Sequence, residues 1–127
     1  MIKLKTIQRS NPADANAARM YYVSAGNGGE VTLEDLTTAI SDRCTVTEPD
    51  VLAVLSALQR EMTVNLMGGK IVRFGTFGSF QLGLSSTGVE KQEDASQQQV
   101  RRLRVKFRPG MRIRDQLKLA KFTLSND

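Results

Sequence analysis

The chain has 127 residues, of which 40% are hydrophobic and 24% are charged, and its formal net charge is +5. This length suits one domain with a core and a short appendage, and the composition is globular rather than disordered. Cys44 is the only cysteine and there is no histidine. The chain therefore cannot form an internal disulfide and lacks the commonest general base, so we expect no enzyme, no cofactor and no metal site.

Positive charge is concentrated in one part of the chain. Residues 30–70 carry seven acidic and three basic side chains, whereas residues 97–127 carry nine basic and two acidic ones. This asymmetry favours a polyanionic partner, with nucleic acid first and an anionic membrane surface second. No apolar run approaches the roughly 20 residues that span a membrane, and the basic N-terminus lacks the apolar core of a secretory signal. A cytoplasmic location is therefore the expectation.

Residues 1–29 predict a short β extension. Apolar and basic side chains alternate in residues 1–8, which is the period of a strand, and we expect this strand to lie at a sheet edge. Strand-type residues recur at 19–25 and are expected to pair back on the first strand. A glycine-rich segment, 26–29, closes the extension.

Two helices follow. The first is predicted from a cap at Thr32 to about Arg43, with apolar residues on one face and Cys44 as a small core residue. The second is predicted from a cap at Thr47 to the glycine pair at 68–69. Its apolar stripe is wide, so it packs either on two sides of its own domain or against a second copy of the chain.

The next segments predict strands, a loop and a third helix. Residues 70–84 form a strand pair or a bent strand, whose phenylalanines build an aromatic core. Residues 85–99 hold almost no apolar side chains and carry a slight negative charge, so they form the tip of an excursion between two strands. Residues 111–122 repeat apolar side chains at helical spacing and predict the last helix.

Residues 100–110 read VRRLRVKFRPG and alternate with period two. Leu103, Val105 and Phe107 form one set, and the positions between them are basic. The pattern predicts a strand with one apolar face and one cationic face. A cationic face of this kind is either an ordinary solvated surface or a surface that meets phosphates.

The order of these elements and two motifs resemble the HU/IHF family of bacterial histone-like proteins over residues 31–121. Phe77-Gly78-Ser79-Phe80 matches the family's Gly-Phe-Gly-x-Phe strand, with Thr76 in place of its first glycine. Phe107-Arg108-Pro109-Gly110 matches its junction into the last helix, followed by Ile113-Arg114-Asp115. The extension at residues 1–29 resembles that of a divergent HU-like subgroup.

The resemblance implies an α+β fold of the HU/IHF type. It has two N-terminal helices, an antiparallel sheet with a long hairpin arm at about 85–99, and a C-terminal helix, preceded here by the short β extension. It divides the chain into an extension, 1–29, and an HU-like domain, 30–127. It also implies an intertwined homodimer that bends DNA. Residues 85–99 contain no proline, whereas family arms carry a proline that wedges between base steps, so the resemblance favours binding by the body rather than by the arm.

The leading hypothesis is a non-enzymatic, nucleoid-associated architectural protein that binds and condenses double-stranded DNA with little sequence preference and has no membrane or small-molecule partner. Phosphate neutralisation is its mechanism, and its candidate residues are the basic ones in and beside the last strand: Arg73, Arg101, Arg102, Arg104, Lys106, Arg108, Arg112 and Arg114. The alternative is an HU-like protein-interaction or assembly module with weak or no DNA binding. A third reading, single-strand or RNA binding, needs exposed aromatics such as Tyr21 and Tyr22.

Overall fold

The computed structural model describes residues 1–10, 12–14 and 16–124. Over these residues the protein is α+β, with three α-helices and two three-stranded sheets. In chain order the elements are β1 (Ile2–Arg9), β2 (Met20–Ala25), α1 (Leu33–Arg43), α2 (Glu48–Met67), β3 (Val72–Phe74), β4 (Gly78–Ser86), β5 (Val100–Pro109), α3 (Met111–Leu117) and β6 (Phe122–Leu124). The chain divides into two compact units, Met1–Thr32 with Gln116–Asp127, and Leu33–Asp115.

The first unit is built on a sheet with the strand order β2-β1-β6. β1 pairs antiparallel with β2 in an unbroken register, as the strand-type residues at 19–25 predicted. β6 pairs parallel to β1, with Ile2 opposite Phe122, and the Ile2 N–H donates to the Lys121 carbonyl oxygen at 2.8 Å. β1 is therefore the central strand of this sheet, and its predicted position at an edge is wrong.

The predicted fold class is wrong in the order of its elements. The prediction placed a short β extension before two helices and ended the fold with a helix, whereas the described chain ends in a strand, β6, which joins the sheet of that extension. α3 stops at Leu117, and residues Phe122–Leu124 form β6 instead of the last helical turn. The physical reason is that the edge of β1 offers backbone hydrogen bonds to a Phe-Thr-Leu segment of high β-propensity, a partnership invisible to local helical spacing.

The long hairpin arm is also corrected. β4 and β5 stay paired as far as Ser86 and Val100, and the chain between them forms two 3₁₀ turns, Gln92–Asp94 and Gln97–Gln99, rather than an extended arm. The base of this loop is closed by hydrogen bonds between Thr87 and Gln99. The Thr87 N–H donates to the Gln99 carbonyl oxygen at 2.9 Å, and Gln99 Nε2 donates to the Thr87 carbonyl oxygen at 2.6 Å.

The helices of the second unit follow their sequence signals. α1 begins directly after Thr32 and ends at Arg43, as predicted. At the start of α2 the Thr47 side chain accepts a hydrogen bond from the Asp50 N–H, which satisfies one of the free donors of the first turn. The helix ends before the glycine pair, whose second member, Gly69, has φ of +79°.

The hydrophobic core of one chain is small. Among the described residues the buried hydrophobic side chains are Val51 and Leu66, both on α2. The apolar face predicted for α1 stays largely open, with Leu36 at 48% exposure. Cys44 is exposed as well, so its predicted place in a core is wrong for the single chain.

The second unit's sheet has the order β3-β4-β5. A tight turn joins β3 to β4, in which the Phe77 N–H donates to the Phe74 carbonyl oxygen at 3.1 Å. Gly75 has φ of +54° at the first central position, which non-glycine residues rarely adopt. The phenylalanine rings contact one another, with centroids 5.5 Å apart for Phe77 and Phe107 and 4.8 Å apart for Phe80 and Phe107. Phe77 and Phe107 are nevertheless exposed, so the predicted aromatic core is not buried in the single chain. The division at residues 29 and 30 stays a prediction.

Candidate nucleic-acid interface

The pairing of β3, β4 and β5 decides which side chains share a face. Directly paired residues of an antiparallel sheet point to the same side, and successive residues of one strand point to opposite sides. Arg73 lies opposite Ser79, which lies opposite Arg108. Further along the same side come the pairs Gln81–Lys106, Gly83–Arg104 and Ser85–Arg102. We call this side the basic face: Arg73, Ser79, Gln81, Gly83, Ser85, Arg102, Arg104, Lys106 and Arg108.

The other side of the sheet is apolar. Its cross-strand pairs are Val72–Phe80, Phe80–Phe107, Leu82–Val105 and Leu84–Leu103. Leu103 and Val105 are 55% and 56% exposed, so in the single chain this apolar face is not covered. The period-two interpretation of β5 is thereby confirmed, with cations on one side and hydrophobic residues on the other.

The basic face contains five cations and no carboxylate. Within the described part of the chain, none of these five side chains forms an ion pair, so their charge is not neutralised internally. The four cations on β5 lie two residues apart, a spacing of roughly 6.8 Å, and together they span about 20 Å. Neighbouring like charges at that distance repel by about 0.6 kcal/mol in bulk water, and by less in salt. A polyanion laid along the face would relieve this repulsion.

Gly83 lets a cationic side chain lie along the basic face. A Cβ atom placed on Gly83 would come within 2.5 Å of Lys106 Cε and 3.2 Å of Arg104 Nε. Gly83 is buried even though it lies on an open face, because these two long side chains lie over it. Their aliphatic stems thus cover the sheet while their charged ends remain accessible to a ligand.

A β-bulge accounts for the position of Arg101. Ser85 pairs with Arg102, but the next residue of β4, Ser86, pairs with Val100, so Arg101 is the extra residue of β5. A bulge leaves one residue unpaired and re-aims its side chain. Here Arg101 and Arg102 together line a surface cavity of about 350 Å³ with the two serines. The structure therefore brings Arg101 to the end of the basic face although it breaks the alternation.

The junction between β5 and α3 is held by two backbone hydrogen bonds to the turn after β3. The Gly110 N–H donates to the Phe77 carbonyl oxygen at 2.8 Å, and the Arg112 N–H donates to the Thr76 carbonyl oxygen at 3.1 Å. A Cβ atom on Gly110 would overlap the Thr76 carbonyl group, so this close approach requires glycine. The junction fixes where α3 begins and therefore where Arg114 lies.

Arg114 joins the basic face, whereas the side chain of Arg112 is not placed there. A cavity of about 200 Å³ is lined by Arg73, Arg108 and Arg114, together with Gly75, Gly78, Ser79, Pro109 and Gly110. A larger, adjoining cavity of about 530 Å³ is lined by residues including Arg73, Gln81, Lys106 and Arg108. Arg112 lines neither cavity.

The sequence reasoning missed the neutral polar members of the basic face. Ser79, Gln81 and Ser85 are the β4 residues that lie opposite the cations. Hydroxyl and amide groups of this kind bind phosphate oxygens in protein–DNA interfaces. The signal was present in the alternation of residues 79–85, where polar side chains and a glycine alternate with apolar ones. It was hidden by uncertainty over whether this segment was one strand or two.

The loop between β4 and β5 carries charge of the opposite sign. Its acidic residues are Glu90, Glu93 and Asp94, against one cation, Lys91. All four are exposed.

No described helix is long and apolar enough to cross a bilayer, and among the described residues no cluster of three or more His, Cys, Asp or Glu side chains could hold a metal ion.

These features define an HU-like domain with one cationic sheet face. A family model described as an HU domain fused to wHTH, Ig, or a glycine-rich motif (HU-HIG) matches residues 1–124, and the chain belongs to this family. The resemblance to HU-like proteins is thereby confirmed. The assignment to a divergent subgroup with an N-terminal extension stays a prediction.

One solved structure has a similar fold. It comes from Bacteroides vulgatus ATCC 8482 and carries a provisional description as a bacterial DNA-binding protein. The two structures superpose with a TM-score of 0.69 at 12% sequence identity, a level at which the likeness concerns the fold alone. The match covers 99% of this chain but 49% of the other, so this chain spans about half the length of that protein. No curated protein matches this chain by sequence.

Proposed function

We propose that this protein is a non-enzymatic DNA-binding protein of the bacterial nucleoid that binds duplex DNA with little sequence preference. One observation carries the proposal: five cations share one sheet face that contains no carboxylate. Surfaces of this composition neutralise phosphates and release counterions, which favours binding to any duplex. Arg101 and Arg114 extend the surface at its two ends, whereas Arg112 lines neither of the two cavities there.

Arginine predominates on this surface, and its chemistry suits the proposed partner. The planar guanidinium group presents a fork of N–H donors that matches two phosphate oxygens, and it can also enter a narrow minor groove. Phosphate contacts position a protein on the duplex but do not read bases. A surface built mainly from such contacts therefore binds unrelated duplexes with similar affinity.

We further propose that the binding unit is a homodimer. The apolar face of the β3-β4-β5 sheet is open, and α2 exposes Val54 and Val64 at 64% and 61%. Such continuous apolar surfaces mark protein interfaces. The wide apolar stripe of α2 could pack on two sides of its own domain or against a second copy of the chain, and these exposed surfaces favour the second copy. In a homodimer the two basic faces would contribute to one DNA-binding surface.

The loop between β4 and β5 plays little part in this mechanism. It has no proline among residues 87–99, and its net charge is negative. Both features oppose a grip on the phosphate backbone and a wedge between base steps. We propose that the body of the domain carries DNA binding and that condensation, where it occurs, does not depend on wedge-driven kinking.

The test is a salt series with several unrelated duplexes. Affinities measured by fluorescence anisotropy between about 50 and 200 mM salt should fall linearly on a double-logarithmic plot, with similar values for every duplex. Absence of binding at about 50 mM salt, where phosphate contacts are strongest, would refute the proposal. A strong preference for one duplex would refute phosphate readout.

A second candidate function is an assembly module with weak or no DNA binding. It is favoured by the sheet of the first unit, where Val23, Phe122 and Leu124 are 60%, 59% and 56% exposed and lie on one side. The same salt series separates the candidates, because an assembly module shows no duplex binding but still associates with protein in analytical ultracentrifugation.

A further inference from the structure

We propose that the cavity between Arg73, Arg108 and Arg114 is a dedicated seat for a single phosphate group, distinct in strength from the rest of the basic face. We call it the phosphate seat. This inference rests on the proposed function, because it names the chemical group that this part of the interface takes from the DNA backbone. It differs from simple charge attraction in requiring three guanidinium groups at fixed positions around one cavity.

The first argument is convergence from three separate elements. Arg73 belongs to β3, Arg108 to β5 and Arg114 to α3, yet all three line one cavity of about 200 Å³. Three arginine side chains that line one cavity bring like charges together, and an anion bound between them would relieve their repulsion. Within the described residues none of the three has a carboxylate partner. Structural arginines are usually paired when they gather in this way, so a missing counter-charge points to an external oxyanion.

The second argument is that the backbone beneath the seat is already fixed. Ser79 pairs with both Arg73 and Arg108 and so sets the two arginines on the same side of the sheet. Arg114 lies in α3, and its backbone N–H donates to the Gly110 carbonyl oxygen at 3.1 Å. Gly110 is in turn bonded to Phe77. Because the backbone positions do not need to form on binding, the ordering cost of phosphate capture is limited to the three arginine side chains.

The third argument concerns size and walls. A cavity of about 200 Å³ is smaller than the roughly 300–1,000 Å³ of pockets that enclose whole small molecules. It therefore suits a group rather than a complete ligand. Three of its lining residues are glycines, Gly75, Gly78 and Gly110, so part of the cavity wall between the arginines is backbone. A phosphate with several oxygens can accept hydrogen bonds from three arginine forks at once.

The experiment compares three variants of α3 in the full chain. Arg114→Gln removes one arm of the seat, and Arg112→Gln removes the same charge from the same helix outside it. At about 0.1 M salt we expect Arg114→Gln to weaken duplex binding about eightfold for each chain that contacts the duplex, and so about sixtyfold for the proposed homodimer, the counterion share of one phosphate contact per chain. Arg112→Gln should stay within about twofold, the scale of a screened surface charge. Equal losses in the two variants would overturn the seat.

Arg114→Lys supplies the geometric control, since lysine keeps the charge but lacks the planar fork. We expect it to keep the salt dependence of the wild type while losing at least about threefold in affinity. Full retention of affinity would show that only charge matters and would overturn the proposal. Thermal unfolding of each variant verifies that the fold is unchanged.

Inorganic phosphate distinguishes a backbone phosphate from a free one. At constant ionic strength, phosphate should compete with duplex better than chloride does for the wild type, and no better for Arg114→Gln. If phosphate binds but Arg114→Gln leaves duplex affinity unchanged, the ligand is free phosphate and the backbone assignment is overturned. If the wild type binds no duplex at all, the proposed function fails independently. NMR of the arginine side chains during a phosphate titration then tests whether phosphate binds at the phosphate seat. Shifts of the Arg73, Arg108 and Arg114 signals support the proposal, and unshifted signals overturn it.

Discussion

The strand β5 offers the sharpest quantitative prediction, through the double variant Arg102→Ala and Arg104→Ala. Five cations lie on the basic face of each chain. If each neutralises one phosphate, the slope of log affinity against log salt is about −4.5 per chain and about −9 for a homodimer. Removing two cations per chain should reduce the dimer's slope by about 3.6, to about −5.4. Affinity should fall equally for every duplex.

The matched control is the double variant Lys3→Ala and Lys5→Ala, on β1 of the other sheet. It removes the same number of positive charges from a strand with the same alternation, but not from the basic face. We expect its slope to stay within about one of the wild-type value, since distant surface charges are screened. Fluorescence anisotropy over a salt series gives both slopes. If both double variants lose the same slope, binding depends on net charge, and the assignment of the basic face is refuted.

Three further predictions concern the loop, the junction and the apolar face. The triple variant Glu90→Gln, Glu93→Gln and Asp94→Asn neutralises the acidic loop and should raise duplex affinity at low salt, because the repulsion between the loop and the phosphates is removed. Unchanged affinity in fluorescence anisotropy would show that the loop stays far from DNA. Gly110→Ala should destabilise the fold by about 1–3 kcal/mol, because its methyl group overlaps the Thr76 carbonyl. Gly88→Ala, whose methyl group meets open space, should change stability by less than about 1 kcal/mol in the same urea titration. Leu103→Glu with Val105→Glu should abolish self-association in analytical ultracentrifugation, and a wild-type chain that sediments as a monomer would contradict the homodimer.

The loop between β4 and β5 distinguishes this domain from HU-like domains whose arm carries a proline that wedges between base steps. The loop closes on itself through Thr87 and Gln99 rather than extending the two strands. Beyond Arg101 the loop offers one cation, Lys91, against the three acidic side chains of Glu90, Glu93 and Asp94. The available positive charge therefore lies on the sheet and at the β5–α3 junction. A DNA-binding mechanism based on this chain has to work from the body of the domain.

The exposed apolar surfaces explain why the single chain is an incomplete structural unit. Hydrophobic burial contributes about 25 cal/mol for each Å² removed from water, and few side chains of this chain are removed. Val51 and Leu66 are the buried hydrophobic residues among those described, whereas the apolar faces of α2 and of the β3-β4-β5 sheet are open. If the proposed homodimer forms, association would supply much of the stability of a chain with so small a core, and folding and dimer formation should be coupled.

Local signals were sufficient for α1, α2 and β5, but not for the end of α3. The cap at Thr47 and the glycines after Met67 marked both ends of α2, because capping depends on a few neighbouring residues. The alternation of Arg102 to Arg108 with apolar residues placed the cations on one side of a strand, because side-chain direction has a period of two. These features follow from backbone geometry over a few residues, so the sequence by itself determined them.

Only the tertiary structure decided which distant segments meet. The last helix was predicted to reach residue 122, yet Phe122–Leu124 pair with β1 more than one hundred residues away along the chain. Arg73, Arg108 and Arg114 share a cavity because strand register and the Gly110 junction bring three elements together. Both outcomes depend on long-range backbone hydrogen bonds, which compete with local propensity and leave no trace in local spacing. The sequence therefore determined that this protein carries a cationic strand, and the fold decided which arginines lie together.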